Sequence, residues 1–319
     1  MSKCLYEPNL GFYNSANLTA SRRGSFITSP EVGPLFGAVI GNKLNEFWIK
    51  RGRPNHFNVY DVGSNSGSFI KSLEILDLEC KRHWRLHSVD YQNSEITPEE
   101  YVGLDLTGSV VIANELLDNL KFRIFCKSNS GEWLEKWVRK VDGIEFFDKA
   151  VSSEEIDELP VEIQNTLNKF SNFDNIEIPI LSSANEWVRN TLDRNVSYLL
   201  CLDYGVETTE ELIERGDWLR TYKHHLRGND PLLEPGKLDI TTDIVLDQLP
   251  SPDVASLQKD FLKKYGIDKL VEEGNRYWES HASNPNLDAV RMRSRSRELE
   301  ALTDPNGLGS WLTLEWVLN

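Results

Sequence analysis

The chain has 319 residues, of which 39% are hydrophobic, so it is long and apolar enough to bury a sizeable core. Its net charge of −15 disfavours a general nucleic-acid binder and suits a basic partner or a neutral small molecule better. The apolar runs are far shorter than the roughly 20 residues of a membrane span. Because the first residues also carry no signal or transit pattern, we expect a cytoplasmic protein of bacterial origin without a membrane partner.

The first part of the chain alternates between predicted helices and strands. Apolar residues at helical spacing predict a helix from Gly33 to Lys50, and FNVYDV is typical of a buried strand. A glycine loop follows, SFIKSLEILDL predicts a helix, WRLHSVD predicts the second strand and SVVIANELLDN contains the third. This rhythm favours a parallel α/β sheet.

The pattern changes after the third strand. FRIFCK, EWLEKWVRKVDG and IEFFDKAV predict successive antiparallel strands, and SSEEIDELP and VEIQNTLNKF predict short acidic helices. Beyond them we predict a helix at ANEWVRNTL, a central strand at SYLLCLDYG, a helix at TTEELIER, a strand at WLRTYKHH, mostly helix over 253–302 and a closing strand at SWLTLEWVL.

The cysteines and histidines give no metal signal. The cysteines lie far apart without a CxxC pair, and we expect reduced core thiols at Cys4, Cys80, Cys126 and Cys201. The six histidines form no HxxxH or HExxH pattern, and the adjacent His224 and His225 would point to opposite sides of a strand. We therefore expect no metal site.

The stretch VYDVGSNSGSF places a glycine loop between a predicted strand and a predicted helix. In nucleotide-binding folds such a loop presents backbone N–H groups to the ligand, and glycines allow close approach. We assign four loop residues to cofactor binding: Gly63, Ser64, Asn65 and Gly67. An ordinary strand-to-helix turn explains the two glycines and the asparagine equally well, because short motifs have many false positives.

Two acids accompany the loop. Asp61 closes the first strand, and Asp90 ends the second, where an acid can hydrogen-bond ribose hydroxyls. An acid beside the loop opposes the pyrophosphate of a dinucleotide but tolerates S-adenosylmethionine, which carries a sulfonium and no phosphate. Asp61 thus favours S-adenosylmethionine as the ligand of a cofactor site that contains both acids.

Several blocks of the chain, in order, resemble one known family, the MidA-like S-adenosylmethionine-dependent methyltransferases. The mitochondrial member of that family is a complex I assembly factor that methylates a protein arginine. The blocks that carry the resemblance are LYEPNLGFY, RGSFITSPEVGPLFGAVIG, VYDVGSNSG, VVIANELLDNL, LLCLDYG, LRTYKHH with DITTDIVLDQLP, and EALTDPNGLGSWLTLEW. The resemblance implies an α/β, Rossmann-like class I methyltransferase sheet and S-adenosyl-L-methionine as cofactor.

The chain departs from the family pattern at three places. The family loop usually reads acid-x-Gly-x-Gly-x-Gly, and Asn65 replaces the middle glycine. Asparagine is the non-glycine residue that best tolerates left-handed backbone geometry, so the turn can survive. The segment after the second strand is shortened to YQNSEITPEE, and Lys121 replaces the usual proline after ANELLDNL.

We predict a single domain over 1–319, because no repeat or Pro/Gly-rich linker interrupts the chain. Within it, 1–56 form an N-terminal cap, 57–118 and 182–319 form the Rossmann-like core with helical additions, and 119–181 form an antiparallel and helical insertion.

The resemblance points to polar residues after the third strand as the reacting end of the site. Methyl transfer mainly requires close alignment of the nucleophile, and carboxylates orient a guanidinium by planar two-point contacts. We assign Asn114 to the cofactor, Glu115 to substrate orientation in catalysis, and Asp118 to catalysis as a second acid. Taken alone, Asp118 as a cap and Glu115 as a solvated side chain are plainer interpretations.

Two further groups are assigned to the substrate or cofactor pocket. Thr28, Ser29 and Glu31 belong to a block that carries the resemblance, although helix capping also explains them. Asp203 and Tyr204 lie at a predicted strand end, where an acid and a phenol could line the substrate side; a turn capped by Asp203 is the alternative.

We therefore expect a methyltransferase that acts on a protein side chain. The resemblance favours arginine, and the acidic chain suits a basic or arginine-containing segment as partner. A homodimer is compatible with the sequence. Two alternatives stay open: an S-adenosylmethionine-binding assembly factor with weak or no turnover, and a dinucleotide oxidoreductase.

Overall fold

The computed structural model describes residues 1–7, 10–14, 28–65, 67–91, 94–223 and 226–318. Some predictions and some parts of the blocks that carry the resemblance fall outside these ranges. They include the loop residue Ser66, the shortened-segment residues Gln92 and Asn93, and the adjacent His224 and His225.

The helices follow in chain order. They are α1 (Ser2–Tyr6), α2 (Ser29–Val32), α3 (Pro34–Lys50), α4 (Ser68–Glu74), α5 (Pro98–Val102), α6 (Ser153–Asp157), α7 (Val161–Lys169), α8 (Ser182–Leu192), α9 (Thr209–Arg215), α10 (Gln258–Lys264), α11 (Ile267–His281) and α12 (Leu287–Thr303).

The strands are numbered in the same way. They are β1 (Phe57–Val62), β2 (Trp84–Val89), β3 (Val110–Asn114), β4 (Arg123–Lys127), β5 (Trp133–Lys140), β6 (Ile144–Ala150), β7 (Glu177–Ile180), β8 (Tyr198–Asp203), β9 (Gly205–Val206), β10 (Arg220–Lys223), β11 (Leu226–Gly228), β12 (Asp239–Thr241), β13 (Ile244–Val245), β14 (Val254–Leu257) and β15 (Leu312–Val317).

The chain forms two compact units whose segments alternate along the sequence. The first unit contains Met1–Phe26, Leu117–Asp193 and Gly205–Ser251, and the second contains Ile27–Leu116, Arg194–Tyr204 and Pro252–Asn319. The predicted insertion, 119–181, falls within the first unit. The predicted cap, 1–56, and the predicted core segment, 182–319, are each divided between the units. The prediction of a single domain stays a prediction.

The second unit contains a six-stranded sheet in the order β14-β15-β8-β3-β1-β2. β2, β1, β3 and β8 run parallel, and β15 and β14 add antiparallel pairs at one side. Every residue of β3 and β8 is buried, as expected for parallel strands covered on both faces. This arrangement confirms the predicted α/β sheet and its closing strand.

The order of the strands shows where a ligand would bind. β1 lies between β2 and β3, so the chain leaves β1 toward one side and later crosses to the other. In open α/β sheets, a crevice opens at such a reversal, outside the carboxyl ends of the strands. Here that position is at the carboxyl ends of β1 and β3.

Helix α3 covers one face of this sheet. Pro34 stands in its first turn, where a missing N–H costs nothing, and Leu35, Phe36, Ile40 and Leu44 pack in the core with residues of β1, β3 and β8. At the start of α3, the N–H of Leu35 donates a 2.8 Å hydrogen bond to the carboxylate of Glu298 in α12. A residue far along the chain therefore caps the first long helix.

The described residues of the first unit form three smaller sheets. β6-β5-β4-β7 form an antiparallel sheet, β11-β10-β12 form another, and β13 pairs with β9 in parallel. Phe125 of β4 and Ile178 of β7 pack with Ile163 and Leu167 of α7 in a separate core. The predicted antiparallel excursion after β3 is therefore confirmed.

One predicted helix is wrong in its boundary, and one predicted helical region contains a strand. The helix predicted over SFIKSLEILDL ends at Glu74, and Leu76 and Leu78 instead pack individually against the core of the second unit. The region 253–302 is mostly helical, as predicted, but it begins with a strand, since residues 254–257 form β14 and extend the sheet by pairing with β15. Within the described ranges, no helix has the length and apolar character needed to cross a membrane.

Candidate cofactor and substrate sites

The loop after β1 has the backbone geometry that its glycines allow. Gly63, Asn65 and Gly67 have φ angles of +80°, +48° and +67°. Asn65 therefore occupies the left-handed region that we expected asparagine to tolerate in place of the middle glycine of the family loop. The substitution leaves the turn intact.

Gly63 brings this loop against the residue that follows Glu115. A Cβ atom on Gly63 would lie 3.3 Å from Cδ1 of Leu116, and its positive φ already disfavours any other residue. The loops after β1 and β3 therefore meet at the crevice that the strand order indicates. At Gly67, by contrast, a Cβ atom would have no described atom within 4 Å, so the neighbouring atoms leave room for a side chain.

Asp90 at the end of β2 is tied to the loop. Its Oδ2 accepts a 2.7 Å hydrogen bond from the N–H of Asn65, and its Oδ1 accepts one of 2.6 Å from the N–H of Tyr91. The structure thus brings Asp90, a predicted ribose-binding acid, into direct contact with the predicted loop. The contact is with the main chain of Asn65, so it does not depend on the identity of that side chain.

Asp61, at the carboxyl end of β1, is only 3% exposed. Burial raises the pKa of its carboxyl group to about 8, and the nearby charge of Asp90 adds to the rise. Asp61 Oδ2 has no hydrogen-bond partner within the described part of the chain. A buried carboxyl oxygen without a partner is costly unless a ligand or solvent satisfies it.

Two neighbouring polar groups share this property. Ser64 Oγ and Asn114 Oδ1 are buried, and no partner for them occurs among the residues that the structure describes. Beside the glycine loop, the Ser64 hydroxyl can therefore donate a hydrogen bond to a ligand, and the oxygens of Asn114 and Asp61 can accept hydrogen bonds from it. S-adenosyl-L-methionine offers an ammonium, a carboxylate and ribose hydroxyls, so this set of groups fits it.

Glu115 follows β3 in a strained conformation. Its φ is +55°, in the left-handed region that costs a residue with a side chain about 1–2 kcal/mol. The conformation is fixed by a 2.9 Å hydrogen bond from its N–H to the carbonyl of Leu202. Its Oε1 accepts a 3.0 Å hydrogen bond from Asn114 Nδ2, and the side chain is half-buried. Such strain is often concentrated at functional sites.

Asp203 and Tyr204 lie at the carboxyl end of β8, which is the neighbour of β3 in the sheet. Asp203 is 1% exposed, and one of its oxygens accepts a 3.0 Å hydrogen bond from the N–H of Tyr204. The Tyr204 ring packs edge-on against Trp311, with centroids 5.7 Å apart. The hydrogen bond agrees with the alternative in which Asp203 caps a turn, and the pocket role stays a prediction.

The residues Thr28, Ser29 and Glu31 form the start of α2. The Glu31 carboxylate accepts a 3.4 Å hydrogen bond from the N–H of Thr28, and Ser29 is fully buried with its hydroxyl 2.9 Å from Oε1 of Gln258. These contacts agree with the capping interpretation. Their assignment to a ligand pocket stays a prediction.

Asp118, the predicted second acid, belongs to the first unit. It is 3% exposed, and its carboxylate accepts hydrogen bonds from Asn119 Nδ2 at 2.7 Å and from Thr241 Oγ1 at 3.1 Å. Tyr13 joins the same network through Asn119 and through a 2.6 Å hydrogen bond to Asp239. Asp118 is thus one member of a buried acid and phenol cluster.

Sequence reasoning missed several neighbours of the predicted residues. Leu116 contacts the cofactor loop, Trp311 packs on Tyr204, and Tyr13 and Asp239 join the Asp118 cluster. Burial raises the pKa of the Tyr13 phenol, and the charge of Asp239 adds to the rise. Leu116 directly follows Asn114 and Glu115, and all four missed residues lie in blocks that carry the family resemblance, which was the signal available in the sequence.

The family of the chain follows from comparison with known proteins. Residues 82–259, more than half of the chain, match the model of a family described as "Putative S-adenosyl-L-methionine-dependent methyltransferase". The chain belongs to this family. This confirms the predicted family and S-adenosyl-L-methionine as the cofactor.

The chain is also similar to named relatives. The chain is 24% identical over 291 residues to "Protein arginine methyltransferase NDUFAF7 homolog, mitochondrial" of Drosophila melanogaster, an alignment of 76% of this chain and 63% of the relative. It is also 24% identical over 316 residues to "Protein arginine methyltransferase NDUFAF7, mitochondrial" of Homo sapiens, covering 84% of this chain and 69% of the relative. The chain thus spans less than two thirds of the fly relative.

A solved structure confirms the fold class. The crystal structure of a Burkholderia thailandensis protein bound to S-adenosyl-homocysteine superposes with a TM-score of 0.74 at 18% sequence identity. The match covers 99% of this chain and 86% of the other. At this identity the likeness concerns the fold alone, and the predicted roles of individual residues and the cytoplasmic location stay predictions.

Proposed function

We propose that this methyltransferase transfers a methyl group from S-adenosyl-L-methionine to an arginine side chain of a protein substrate. The observation that carries the proposal is the Glu115 carboxylate, held by Asn114 and by its own strained backbone at the carboxyl end of β3. The named relatives, which are called protein arginine methyltransferases, support the choice of arginine.

The cofactor contributes an electrophilic methyl group on a positively charged sulfur. In this proposal the residues that hold it are Asp61, Ser64, Asp90 and Asn114, together with the backbone of the glycine loop. Asp61 and Asn114 carry oxygens that have no partner elsewhere in the described chain, so ligand donors would satisfy them. A carboxyl group at Asp61 suits a cationic ligand better than a phosphate.

Glu115 has the properties of a group that orients a guanidinium. A carboxylate binds the two nitrogens of a guanidinium in one plane, which leaves the third nitrogen pointed in a fixed direction. Fixing that direction matters because alignment accounts for most of the catalysis of a displacement at a methyl carbon. The hydrogen bonds from Asn114 Nδ2 and to Leu202 restrict both ends of Glu115.

The charge of the chain suits such a substrate. With 50 acidic and 35 basic residues, the protein attracts a basic segment at long range. An arginine-containing protein segment is therefore a better partner than an acidic one or a nucleic acid.

The test measures cofactor binding and methyl transfer separately. The purified chain is incubated with labelled S-adenosyl-L-methionine and a mixture of cell proteins, and the methylated residue is identified by mass spectrometry. We expect label on arginine. Glu115→Gln should keep cofactor affinity within about 3-fold by calorimetry and should reduce transfer by about 100-fold or more.

Glu300→Gln is the matched control, because Glu300 is an exposed glutamate of α12 in the same unit. It should leave binding and transfer unchanged. Label on lysine would remove arginine from the proposal but keep the enzyme class. Cofactor binding without any transfer would favour an assembly factor, and full activity of Glu115→Gln would remove Glu115 from the mechanism.

A further inference from the structure

The hairpin formed by β5 and β6 has an open edge and exposed apolar side chains. β6 is the end strand of the four-stranded sheet, and within the described residues it pairs only with β5. Trp137, Val138, Val141 and Ile144 of this hairpin are between 42% and 63% exposed. An open edge strand can pair with a further strand through its unused backbone groups.

The hydrogen bonds of the hairpin identify these unused groups. The N–H of Val151 donates to the carbonyl of Trp133, and the N–H of Val141 donates to that of Gly143. Since hydrogen-bonded and non-hydrogen-bonded pairs alternate in an antiparallel ladder, the odd-numbered residues of β6 bond to β5. The backbone groups of the even-numbered residues, 144 to 150, therefore face the open edge.

We propose that the edge of β6 pairs antiparallel with β6 of a second copy of the chain, with Phe147 on the two-fold axis. In this register, Phe146 lies opposite Asp148 of the second copy, and Ile144 lies opposite Ala150. These four residues are even-numbered, so their backbone N–H and C=O groups face the open edge and can form hydrogen bonds with those of the second copy. The pairing joins two four-stranded sheets into one.

The charges of β6 select this register. Glu145 lies opposite Lys149 of the second copy, and the two-fold axis repeats the pair. Within one copy, Glu145 pairs with Arg139 at 2.8 Å and Lys149 pairs with Glu155 at 3.6 Å, but both side chains are still 51% exposed, so each also has a side open to the second copy. Opposite charges directly across an antiparallel pair are favourable, and the non-hydrogen-bonded positions that these residues occupy bring side chains closest.

Other two-fold registers are poorer. A pairing centred on Phe146 sets Glu145 against Phe147 and Ile144 against Asp148, and a pairing centred on Asp148 sets two aspartates against each other. Charged residues on an edge strand commonly prevent association. In β6 the order of the charged residues disfavours these other registers. The same order is self-complementary in the register centred on Phe147.

The aromatic residues favour the same register. Trp137 is the cross-strand partner of Phe147, so both lie on one face of the hairpin. With Phe147 on the axis, the two Phe147 rings lie side by side and each is flanked by Trp137 of its own copy. Aromatic cross-strand pairs stabilise sheets, and the cluster covers apolar surface that the single copy exposes.

The test is the mass of the full chain in solution, measured by sedimentation over a range of protein concentrations. We expect a dimer for the natural sequence. Glu145→Lys and Lys149→Glu each place like charges opposite each other, and each should weaken the dimer by about tenfold or more. The double variant E145K/K149E reverses both charges and should restore it.

The rescue separates an interface from a folding defect, because a merely damaged hairpin would not recover in the double variant. Glu158→Lys is the control for the change in net charge, since Glu158 is an exposed residue of the same unit outside the strand. It should leave the dimer intact. Asp148→Pro removes an N–H that faces the open edge while sparing the bonds to β5, and it should give monomers.

Three results would overturn the proposal. They are a natural sequence that is monomeric at every concentration, single charge reversals that dimerise as tightly as the natural sequence, and a double reversal that stays monomeric. Circular dichroism of each variant verifies that the fold is retained.

Discussion

The main-chain N–H of Asn65 donates a 2.7 Å hydrogen bond to the carboxylate of Asp90, which joins the loop after β1 to the end of β2. Asn65 makes this bond while in the left-handed conformation, at φ +48°. Asn65, which stands where we expected the middle glycine of the family loop, therefore keeps the backbone path and its contact with the second strand.

Substitutions at Asn65 should separate the backbone from the side chain. Asn65→Gly keeps the left-handed conformation, so we expect affinity for S-adenosyl-L-methionine within about 3-fold of the natural value by calorimetry. Asn65→Val disfavours that conformation by about 1–2 kcal/mol and should weaken binding about tenfold. Natural affinity in the valine variant would show that the loop geometry does not control binding.

Asp61 should make stability depend on pH. Its folded-state pKa, raised by burial to about 8, lies above the ordinary value of 3.8. Between these values the folded state holds more protons than the unfolded state, so the free energy of unfolding falls as pH rises from about 4 to about 8. Asp61→Asn lacks this dependence, and its stability relative to the natural chain should rise across that window.

Urea unfolding of both chains at several pH values measures this difference. Asparagine has nearly the same volume as aspartate, so packing changes should shift the two curves by a constant amount. Parallel curves between pH 4 and 8 would mean that Asp61 ionises in the folded state with its ordinary pKa.

The strained backbone at Glu115 gives a third prediction. Glycine usually destabilises a protein relative to alanine, but at φ +55° alanine carries the steric cost of a Cβ and glycine does not. We therefore expect Glu115→Gly to be about 1 kcal/mol more stable than Glu115→Ala in urea unfolding. Both variants lack the carboxylate, so their difference isolates the backbone, and the opposite order would show that the conformation is relaxed in solution.

Much of the sheet of the second unit follows from the sequence. VVIAN and YLLCLD are apolar runs that end in a polar residue, and FNVYDV is largely apolar with Asp61 next to its end. Such runs are typical of central parallel strands, and these three form β3, β8 and β1. The positions of Asp61, Asn114 and Asp203 at the carboxyl ends of these strands followed directly.

The contacts of Asp118 could not be predicted in the same way. Its partner Thr241 is 123 residues away, in a strand of only three residues that carries no clear period. Short strands such as β9, β12 and β13 are held by tertiary packing rather than by their own pattern, so sequence reasoning missed them. A helix start at Ser29 and Pro30 with Glu31 in the first turn was foreseen, since this pattern lies within a few residues.

The late position of β15 in the sequence affects the order in which the two units can fold during synthesis. It pairs with β8 in the sheet of the second unit, but it comes last of all the strands that the structure describes. Domains tend to fold as units during synthesis from the N-terminus. The first unit has all its segments by Ser251, while β8, already paired with β3, still lacks β15 as its second neighbour. During synthesis, the sheet of the second unit, which carries the cofactor loop, can therefore be completed only after all segments of the first unit have been made.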